Sequence, residues 1–353
     1  MSLQTFIAKT LLKLPPNWLV RLSGGEPLEL GGRTLEPQLQ FVTHGAKRQP
    51  AMNEMTAQEG QEAARTGFAA FAAKPEPGVM FEDFTLPAPG RKIPVRLYRP
   101  HSQNSKHPLL VYYHMGGGVI GDVDTCHAFC SILSTRLQAP VLSVDYRLAP
   151  QHKFPAGLED CLFAYEWALA HAAEYGAPAG EAAVGGDSMG GHFSAILCNE
   201  MKAEGKPQPV FQLLIYPAVD MVTEFPSAST YGDSYPLSTA VMDWFMDHYL
   251  PAGHDKSNPR LSPAFNTDME GLAPAIIVTA GFDPLLDHGP LYAERLEEAG
   301  VKTVYKCFDN LCHGFTAFTA ISPGSDAACR EIADMARDLL TRMDERKQRI
   351  AAE

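Results

Sequence analysis

A serine flanked by glycines is the feature of this sequence that points most directly to chemistry. Gly186, Ser188 and Gly190 spell G-x-S-x-G within residues 184–191. The pattern is typical of a sharp turn between a strand and a helix that exposes a serine oxygen as a nucleophile. Apolar residues before it predict the strand end, and residues 192–201 predict the helix. Short patterns also occur by chance, so the prediction depends on the other groups that this chemistry needs.

A glycine-rich loop lies upstream of the serine. His114-Met115-Gly116-Gly117-Gly118 follows the apolar residues 109–113, which predict a strand. Such a loop can turn backbone N–H groups toward a point where negative charge develops, and fixed dipoles stabilise that charge with little reorganisation. An ordinary glycine-rich turn is the alternative interpretation.

An acid and a base follow in the chain order Ser, Asp, His. Asp283 comes just after a predicted strand at 275–279, and His313 comes just after a strand around Val304. Loops that leave strand ends are where sites form in open α/β sheets. Asp287 competes with Asp283, but its position favours a helix cap or a structural carboxylate.

The other histidines have weaker contexts. His114 belongs to the glycine-rich loop, and His192, four residues after Ser188, is expected to pack. Surface or packing roles are expected for His152, His248, His254 and His288, which lack a glycine-rich strand end.

The surrounding chain predicts an α/β fold. From Phe81 onward, strand and helix patterns alternate, which implies a mostly parallel sheet covered by helices on both faces. Residues 1–77 look helical and lack strand alternation, and the Pro- and Gly-rich segment 74–78 marks the boundary of a catalytic domain over 78–353. The predicted elements are strands at 95–98, 109–113, 141–145, 275–279 and 303–305, and helices at 125–137, 156–171 and 326–349.

Composition excludes several classes of protein. The formal net charge of −12 over 353 residues argues against a nucleic-acid partner, which needs a basic face. No apolar run approaches the roughly 18 residues that span a bilayer, so stable membrane insertion is not expected. Residues 1–23 predict an amphipathic helix and not a signal peptide. We expect this helix to pack on the protein; contact with a membrane or lipid surface is the alternative.

The cysteines suggest the compartment. The chain has seven cysteines and no C-x-x-C pair. Cys126 and Cys130 are four residues apart on one helical face, but no cluster with metal-ligand spacing accompanies them. We therefore expect free thiols in a reducing cytoplasm and no metal site.

Together these motifs resemble the hormone-sensitive-lipase-like group (bacterial family IV) of the α/β-hydrolase superfamily. The matching stretches lie between about residues 80 and 340: 112–122, 145–150, 186–191, 283–285 and 313–315. The resemblance implies a carboxylesterase that hydrolyses short- to medium-chain esters through an acyl-enzyme intermediate, without a cofactor. It assigns Ser188 as nucleophile, His313 as base and Asp283 as the acid that orients the base.

The resemblance also assigns an oxyanion hole, with departures from the family pattern. The N–H groups of Gly116, Gly117 and Met189 take the donor positions. Met115 stands where the family usually has the first glycine of its loop, Gly118 where Phe or Trp usually follows, and Met189 where Ala is more common. Leu286 and His288 replace an Arg and a Glu that often lie beside the acid.

The resemblance places a cap over the site. Residues 1–77 correspond in position to the family's helical cap, and we expect residues 225–250 to add to it. Candidate pocket residues are Met115, Tyr231, Trp244 and Phe245, with ordinary core packing of the aromatic residues as the alternative. The last strand and helix, at 303–343, resemble an edge through which family members form homodimers.

Other functions fit the same residues. Amide hydrolysis, deacetylation or acyl transfer would use the same three catalytic groups, because the pocket and not these groups determines specificity. A non-catalytic receptor for small molecules is a second alternative, which the presence of all three groups disfavours.

Overall fold

The central element of the structure is an eight-stranded sheet. The computed structural model describes residues 10–352. Its strands lie in the order β10-β9-β8-β7-β5-β6-β4-β3, and the pairs of β4 with β3 and β6 are antiparallel while the others are parallel. This confirms the predicted, mostly parallel sheet. The strands are β1 Glu29–Leu30, β2 Arg33–Thr34, β3 Val79–Ala88, β4 Arg91–Pro100, β5 Leu109–Tyr113, β6 Val141–Val144, β7 Ala182–Asp187, β8 Gln212–Ile215, β9 Ala275–Phe282 and β10 Thr303–Cys312.

Helices cover the sheet, and within the described residues three further helices lie in the N-terminal segment of the chain before β3. The helices are α1 Pro16–Leu22, α2 Pro37–Ala46, α3 Ala57–Phe71, α4 His127–Leu137, α5 Ala156–His171, α6 Met189–Ala203, α7 Pro226–Thr230, α8 Thr239–Tyr249, α9 His288–Glu298 and α10 Pro323–Ala352. Short 3-10 helices lie at Met52–Glu54, Ala172–Tyr175, Pro263–Phe265 and Phe315–Ala317.

The sheet is buried on both faces, as β5 illustrates. Leu109, Val111 and Tyr113 pack into one core, and Leu110 and Tyr112 pack into the other. All five side chains are fully buried. Successive residues of a strand point to opposite faces, so a strand with helices on both sides must be apolar throughout. The continuous apolar run in the sequence follows from this arrangement.

The last helix is longer than predicted, and one apolar face of it contacts the core. α10 extends a few residues beyond 326–349 at each end and packs against α4. The residues of this face are the buried Ile332, Ala336, Leu339 and Leu340 and the partly buried Met335 and Met343.

The expectation that residues 1–77 lack strands is wrong at one place. β1 and β2 pair as a short antiparallel ribbon. Gly31 and Gly32 connect them with φ values of +57° and +75°. Two residues with positive φ make the tight turn that joins paired strands, and a Gly-Gly pair favours it. The pair was the signal in the sequence that could have predicted the ribbon.

The predicted N-terminal helix is described only in part. Residues 1–9 of the predicted segment 1–23 lie outside the described residues. Residues 10–11 are helical, residues 12–15 interrupt the helix, and α1 begins at Pro16. In α1, Leu19 is buried whereas Trp18 and Leu22 are exposed. Within residues 10–352, no helix is both long enough and apolar enough to cross a membrane.

Candidate active site

Ser188 lies on a strained turn between β7 and α6. Its φ of +53° and ψ of −115° place it in a backbone region that residues with side chains rarely adopt. A Cβ on Gly186 would lie 2.5 Å from the carbonyl oxygen of Tyr113, and a Cβ on Gly190 would lie 1.9 Å from that oxygen. Glycine is therefore required on both sides, since the turn passes directly against β5. The strand, turn and helix place Ser188 at the carboxyl end of β7.

The structure brings the three predicted catalytic side chains together. Nε2 of His313 lies 2.9 Å from Oγ of Ser188, and Nδ1 of the same ring lies 2.7 Å from Oδ2 of Asp283. The exposed fractions of Ser188, His313 and Asp283 are 8%, 6% and 0%. When Nδ1–H donates to Asp283, Nε2 is free to accept the hydroxyl proton of Ser188. The arrangement can thus activate the serine oxygen for attack.

Adjacent strand ends hold the acid and the base. Asp283 follows the last residue of β9, and His313 follows the last residue of β10. Oδ1 of Asp283 accepts the backbone N–H of Leu285 at 2.8 Å, which leaves Oδ2 for the imidazole. Since β9 and β10 are parallel neighbours, their carboxyl ends meet at one edge of the sheet.

Asp287, the competing carboxylate, makes other contacts. Its Oδ2 accepts the N–H of Ser227 at 2.8 Å, and the hydroxyl of Ser227 donates to the carbonyl oxygen of Pro284 at 2.8 Å. These bonds fasten the start of α7 to the loop that follows β9. The carboxylate that contacts the imidazole is therefore that of Asp283 and not that of Asp287.

The glycine-rich loop adopts a conformation that needs glycine. Gly116, Gly117 and Gly118 have φ values of +126°, +60° and +72°. The N–H groups of Gly116 and Gly117 donate to no other group in the part of the chain that the structure describes. Met189 is the first residue of α6, where a backbone N–H has no partner within the helix. All three predicted donors lie in the wall of the cavity that contains Ser188 and His313.

His114 shapes this loop and is not a second base. Its Nδ1–H donates to the carbonyl oxygen of Met115 at 2.8 Å, and its own carbonyl oxygen accepts the hydroxyl of Tyr146 at 2.7 Å. The rings of His114 and Tyr146 stack with centroids 4.2 Å apart. Burial lowers the pKa of His114 to about 4, so the ring is neutral at neutral pH. These contacts position the loop that carries the predicted donors.

No role was predicted from the sequence for Asp187, whose buried carboxyl group lies behind the serine. Oδ2 of Asp187 accepts the hydroxyls of Thr316 at 2.7 Å and Tyr216 at 3.2 Å, and burial raises the pKa of Asp187. Thr316 follows His313 by three residues, so this network ties the turn of Ser188 to the segment that carries the base. An acidic residue beside the serine at the end of a buried strand was the available signal.

A small, mainly apolar cavity opens beside Ser188. Its volume is about 230 Å³. Methionine is flexible and polarizable, and a wall rich in it can adapt to different apolar groups. The methionines in the wall are Met52, Met115, Met189, Met221, Met242 and Met246.

Two of the four predicted pocket residues line this cavity. Met115 and Phe245 lie in its wall. Tyr231 does not, because its hydroxyl accepts a hydrogen bond from Arg33 at 3.0 Å and its ring packs on Phe282. Trp244 does not line it either, because its ring packs against the N-terminal segment at Met55 and Gly60. The expectation for Tyr231 and Trp244 is therefore corrected.

Trp244 connects two helices and does not line the cavity. Its Nε1–H donates to the carbonyl oxygen of Met55 at 2.9 Å, and a Cβ on Gly60 would lie 3.0 Å from its ring. Trp244 thus joins α8 to α3. Consecutive helical residues point about 100° apart, so Phe245 can face the cavity while Trp244 faces the N-terminal segment.

The other histidines divide between packing and the cavity. His192 packs as expected, with Nδ1–H donating to the carbonyl oxygen of Ala218 at 2.6 Å. His288, for which a surface or packing role was expected, lies in the cavity wall together with Asp220. Among the residues that the structure describes, no group of three His, Cys, Asp or Glu side chains could hold a metal ion.

Comparison with known proteins gives consistent similarities. A family model described as alpha/beta hydrolase fold matches residues 110–317. The chain is 39% identical over 331 residues to the carboxylic ester hydrolase LipN of Mycobacterium tuberculosis, a match that covers 91% of this chain and 88% of LipN. It is 34% identical to the ethyl acetate hydrolase of Pseudomonas putida, over 83% of this chain and 94% of that protein.

A solved structure is similar over most of the fold. An ester hydrolase from the metagenome of Lake Arreo, Spain, superposes with a TM-score of 0.83 at 36% sequence identity. The match covers 88% of this chain and 99% of that chain.

Proposed function

The chain belongs to the α/β-hydrolase fold family, and from this premise we propose that Ser188, His313 and Asp283 are the catalytic groups of a serine carboxylesterase. The protein is a carboxylic ester hydrolase. The observation that supports these roles best is the chain of contacts from Ser188 Oγ to His313 Nε2 at 2.9 Å and from His313 Nδ1 to Asp283 Oδ2 at 2.7 Å.

The proposed reaction has two stages. Ser188 Oγ attacks the ester carbonyl carbon while Nε2 of His313 takes its proton, and the charged ring then gives that proton to the leaving alcohol. Water attacks the acyl-serine in the same way and releases the carboxylic acid and the free serine. Asp283 keeps the imidazole in the required tautomer and stabilises its charged form. The N–H groups of Gly116, Gly117 and Met189 stabilise the oxyanion in both stages.

We propose short- to medium-chain esters as substrates. A cavity of about 230 Å³ lies below the range of roughly 300–1,000 Å³ that is common for drug-sized ligands. Its methionine-rich wall suits alkyl groups. LipN and the ethyl acetate hydrolase, which the chain resembles, are named for ester hydrolysis, and the latter for a short ester.

A series of p-nitrophenyl esters from acetate to palmitate tests this substrate range. We expect kcat/KM to be highest for the short esters and to fall for chains longer than the cavity accepts. The matching p-nitroanilides are the control for amide hydrolysis. Turnover only of long, emulsified esters, or faster turnover of the anilides than of the esters, would contradict the proposal.

The rate of hydrolysis is expected to fall as the pH is lowered. A protonated His313 cannot accept the hydroxyl proton of Ser188, so the reaction needs the neutral imidazole and is lost when the ring takes up a proton. Burial lowers the pKa values of His114, His192 and His288 to about 4, so an inflection at higher pH does not arise from these three rings.

Initial rates on a short ester, from about pH 4 to pH 9, provide the measurement. Circular dichroism at each pH is the control that separates loss of the base from loss of the fold. A flat profile down to about pH 4 would contradict the role of His313.

We further propose that residues 1–77 with residues 225–250 form a cap on a catalytic domain over 78–353. Two observations support this proposal. Met52 and Phe68 from the first segment and Phe245 from the second all line the cavity beside Ser188. The hydrogen bond from Trp244 to Met55 joins the two segments directly.

The remaining proposals concern assembly and location. We propose a homodimer formed through residues 303–343, because β10 is the outermost strand at one edge of the sheet. Light scattering on the purified protein tests this assembly. We propose a cytoplasmic location because all seven cysteines are free thiols.

A further inference from the structure

His288 has a free hydrogen-bond donor in the wall of the cavity. The residue is the first of α9, and only 5% of its surface is exposed. Its ring lies in the wall of the cavity that contains Ser188, and Phe225 packs against it with centroids 4.8 Å apart. The hydrogen bonds of this ring identify which nitrogen carries the proton.

Backbone contacts determine the tautomer of His288. Nδ1 accepts the N–H of Val219 at 3.2 Å and the N–H of Asp220 at 3.4 Å. A nitrogen that accepts hydrogen bonds carries no proton, so the proton of the neutral ring is on Nε2.

The ring is neutral under ordinary conditions. Burial lowers the pKa of His288 to about 4, although the nearby carboxyl groups of Asp220, Asp283 and Asp287 act in the opposite direction. At neutral pH the ring therefore offers Nε2–H as a donor without carrying a charge.

Nε2 of His288 differs from the same atom in two other buried rings, those of His114 and His192. In His114 and His192, Nε2 is sealed from solvent without a partner. In His288, Nε2 is not sealed from solvent in this way, and it has no hydrogen-bond partner in the described part of the chain. A donor in this position needs an acceptor from solvent or from a ligand, because a buried donor without one is costly.

The other polar side chains of the cavity wall either have hydrogen-bond partners already or are exposed at the surface. Oδ1 of Asp220 accepts the N–H groups of Val222 and Thr223, and its Oδ2 accepts the hydroxyl of Thr223. Asp243 and Lys256 are exposed at the surface. In this wall, His288 is thus the buried side chain whose hydrogen-bond donor has no partner.

We propose that Nε2–H of His288 binds an acceptor oxygen of the substrate, so that the preferred esters carry a second acceptor in their acyl or alcohol part. Ketone, ether and hydroxyl oxygens have the required chemistry. In a mainly apolar cavity, such a donor discriminates between an alkyl chain and a chain with one oxygen. The inference rests on the proposed ester hydrolysis by Ser188.

Matched pairs of esters test the inference in the wild-type enzyme. For the acyl part we use p-nitrophenyl pentanoate and p-nitrophenyl 4-oxopentanoate; for the alcohol part we use butyl butanoate and 2-methoxyethyl butanoate. Each pair differs in one oxygen at nearly constant length. We expect kcat/KM to be about tenfold higher for the oxygen-bearing member of one pair, which also identifies the part of the substrate that His288 contacts.

Two substitutions separate recognition from structure. In His288→Asn the amide oxygen can replace Nδ1 as acceptor for Val219 and Asp220, but no donor reaches the position of Nε2. In His288→Gln the amide N–H₂ can reach that position, while the acceptor near the backbone is lost. We expect the kcat/KM ratio of the pair to fall to about one in His288→Asn and to be retained in His288→Gln.

Because kcat/KM is compared between the two esters of a pair in the same enzyme, a general loss of activity cancels in the ratio. Ratios near one in both wild-type pairs, or a wild-type ratio in His288→Asn, would overturn the inference. A purely structural role would instead lower the thermal midpoint of His288→Gln and leave all ratios unchanged. If a variant does not fold, wild-type ratios near one in both pairs still overturn the inference, and the variant that folds shows whether a higher ratio depends on His288. Absence of Ser188-dependent turnover of the plain esters would overturn the proposed function itself.

Discussion

Replacement of Ser188 by alanine is expected to lower kcat for ester hydrolysis by roughly 10⁶-fold, the scale seen when the serine of a catalytic triad is removed. The substitution removes the oxygen that lies 2.9 Å from Nε2 of His313 and leaves the imidazole and the proposed oxyanion hole in place. The residual rate then comes from substrate binding and oxyanion stabilisation. Initial rates on p-nitrophenyl acetate measure the loss.

A buried serine outside the site supplies the control. Ser134 in α4 is fully buried, and its hydroxyl donates to the carbonyl oxygen of Ala139 at 3.0 Å. Ser134→Ala is expected to lower the free energy of unfolding by about 1 kcal/mol and to keep turnover near the wild-type value. If Ser188→Ala kept more than about 1% of wild-type turnover, the nucleophile would have to be another group.

Asp283→Asn is expected to lower kcat by about 10⁴-fold, or about 5.5 kcal/mol of barrier. The carboxylate accepts Nδ1–H of His313, whereas an amide can present its N–H₂ to that nitrogen and favour the opposite tautomer. The ring would then hold its proton on Nε2 and could not accept the one from Ser188. The loss should appear in kcat on every ester of the series, because the substitution does not touch the cavity wall.

Asp287→Asn is the matched control for the acid. Asp287 lies four residues away, and its carboxylate accepts the N–H of Ser227 and not that of the imidazole. Its amide oxygen can still accept that bond, so turnover should stay within about threefold of the wild-type rate. The reverse pattern, with the large loss in Asp287→Asn, would make Asp287 the catalytic acid.

The positions of the acid and the base relative to the sheet could be predicted without coordinates. Asp283 and His313 follow apolar strands, and the carboxyl ends of parallel strands meet at one edge of a sheet. The sequence could not supply the distances. Ser188 and His313 are 125 residues apart in the chain, and their contact at 2.9 Å depends on the strand order and on the lengths of β9 and β10.

The sequence by itself determined what depends on neighbours in the chain. The glycines around Ser188 and the alternation of strands with helices are local patterns, and local sterics and side-chain periodicity make them readable. The family membership follows from the same motifs. The short ribbon of β1 and β2 was also encoded locally, by Gly31 and Gly32.

Only the tertiary structure decided which side chains reach the cavity. Tyr231 and Trp244 are aromatic, as many pocket residues are. In the structure, however, Tyr231 contacts Arg33 and Trp244 contacts Met55. His288 stands out in the sequence only as a replacement near Asp283, yet its ring lies in the cavity wall. The direction of a side chain depends on how its element packs against segments far away in the chain. Composition cannot determine that packing, because an apolar or aromatic residue suits a core and a pocket equally well.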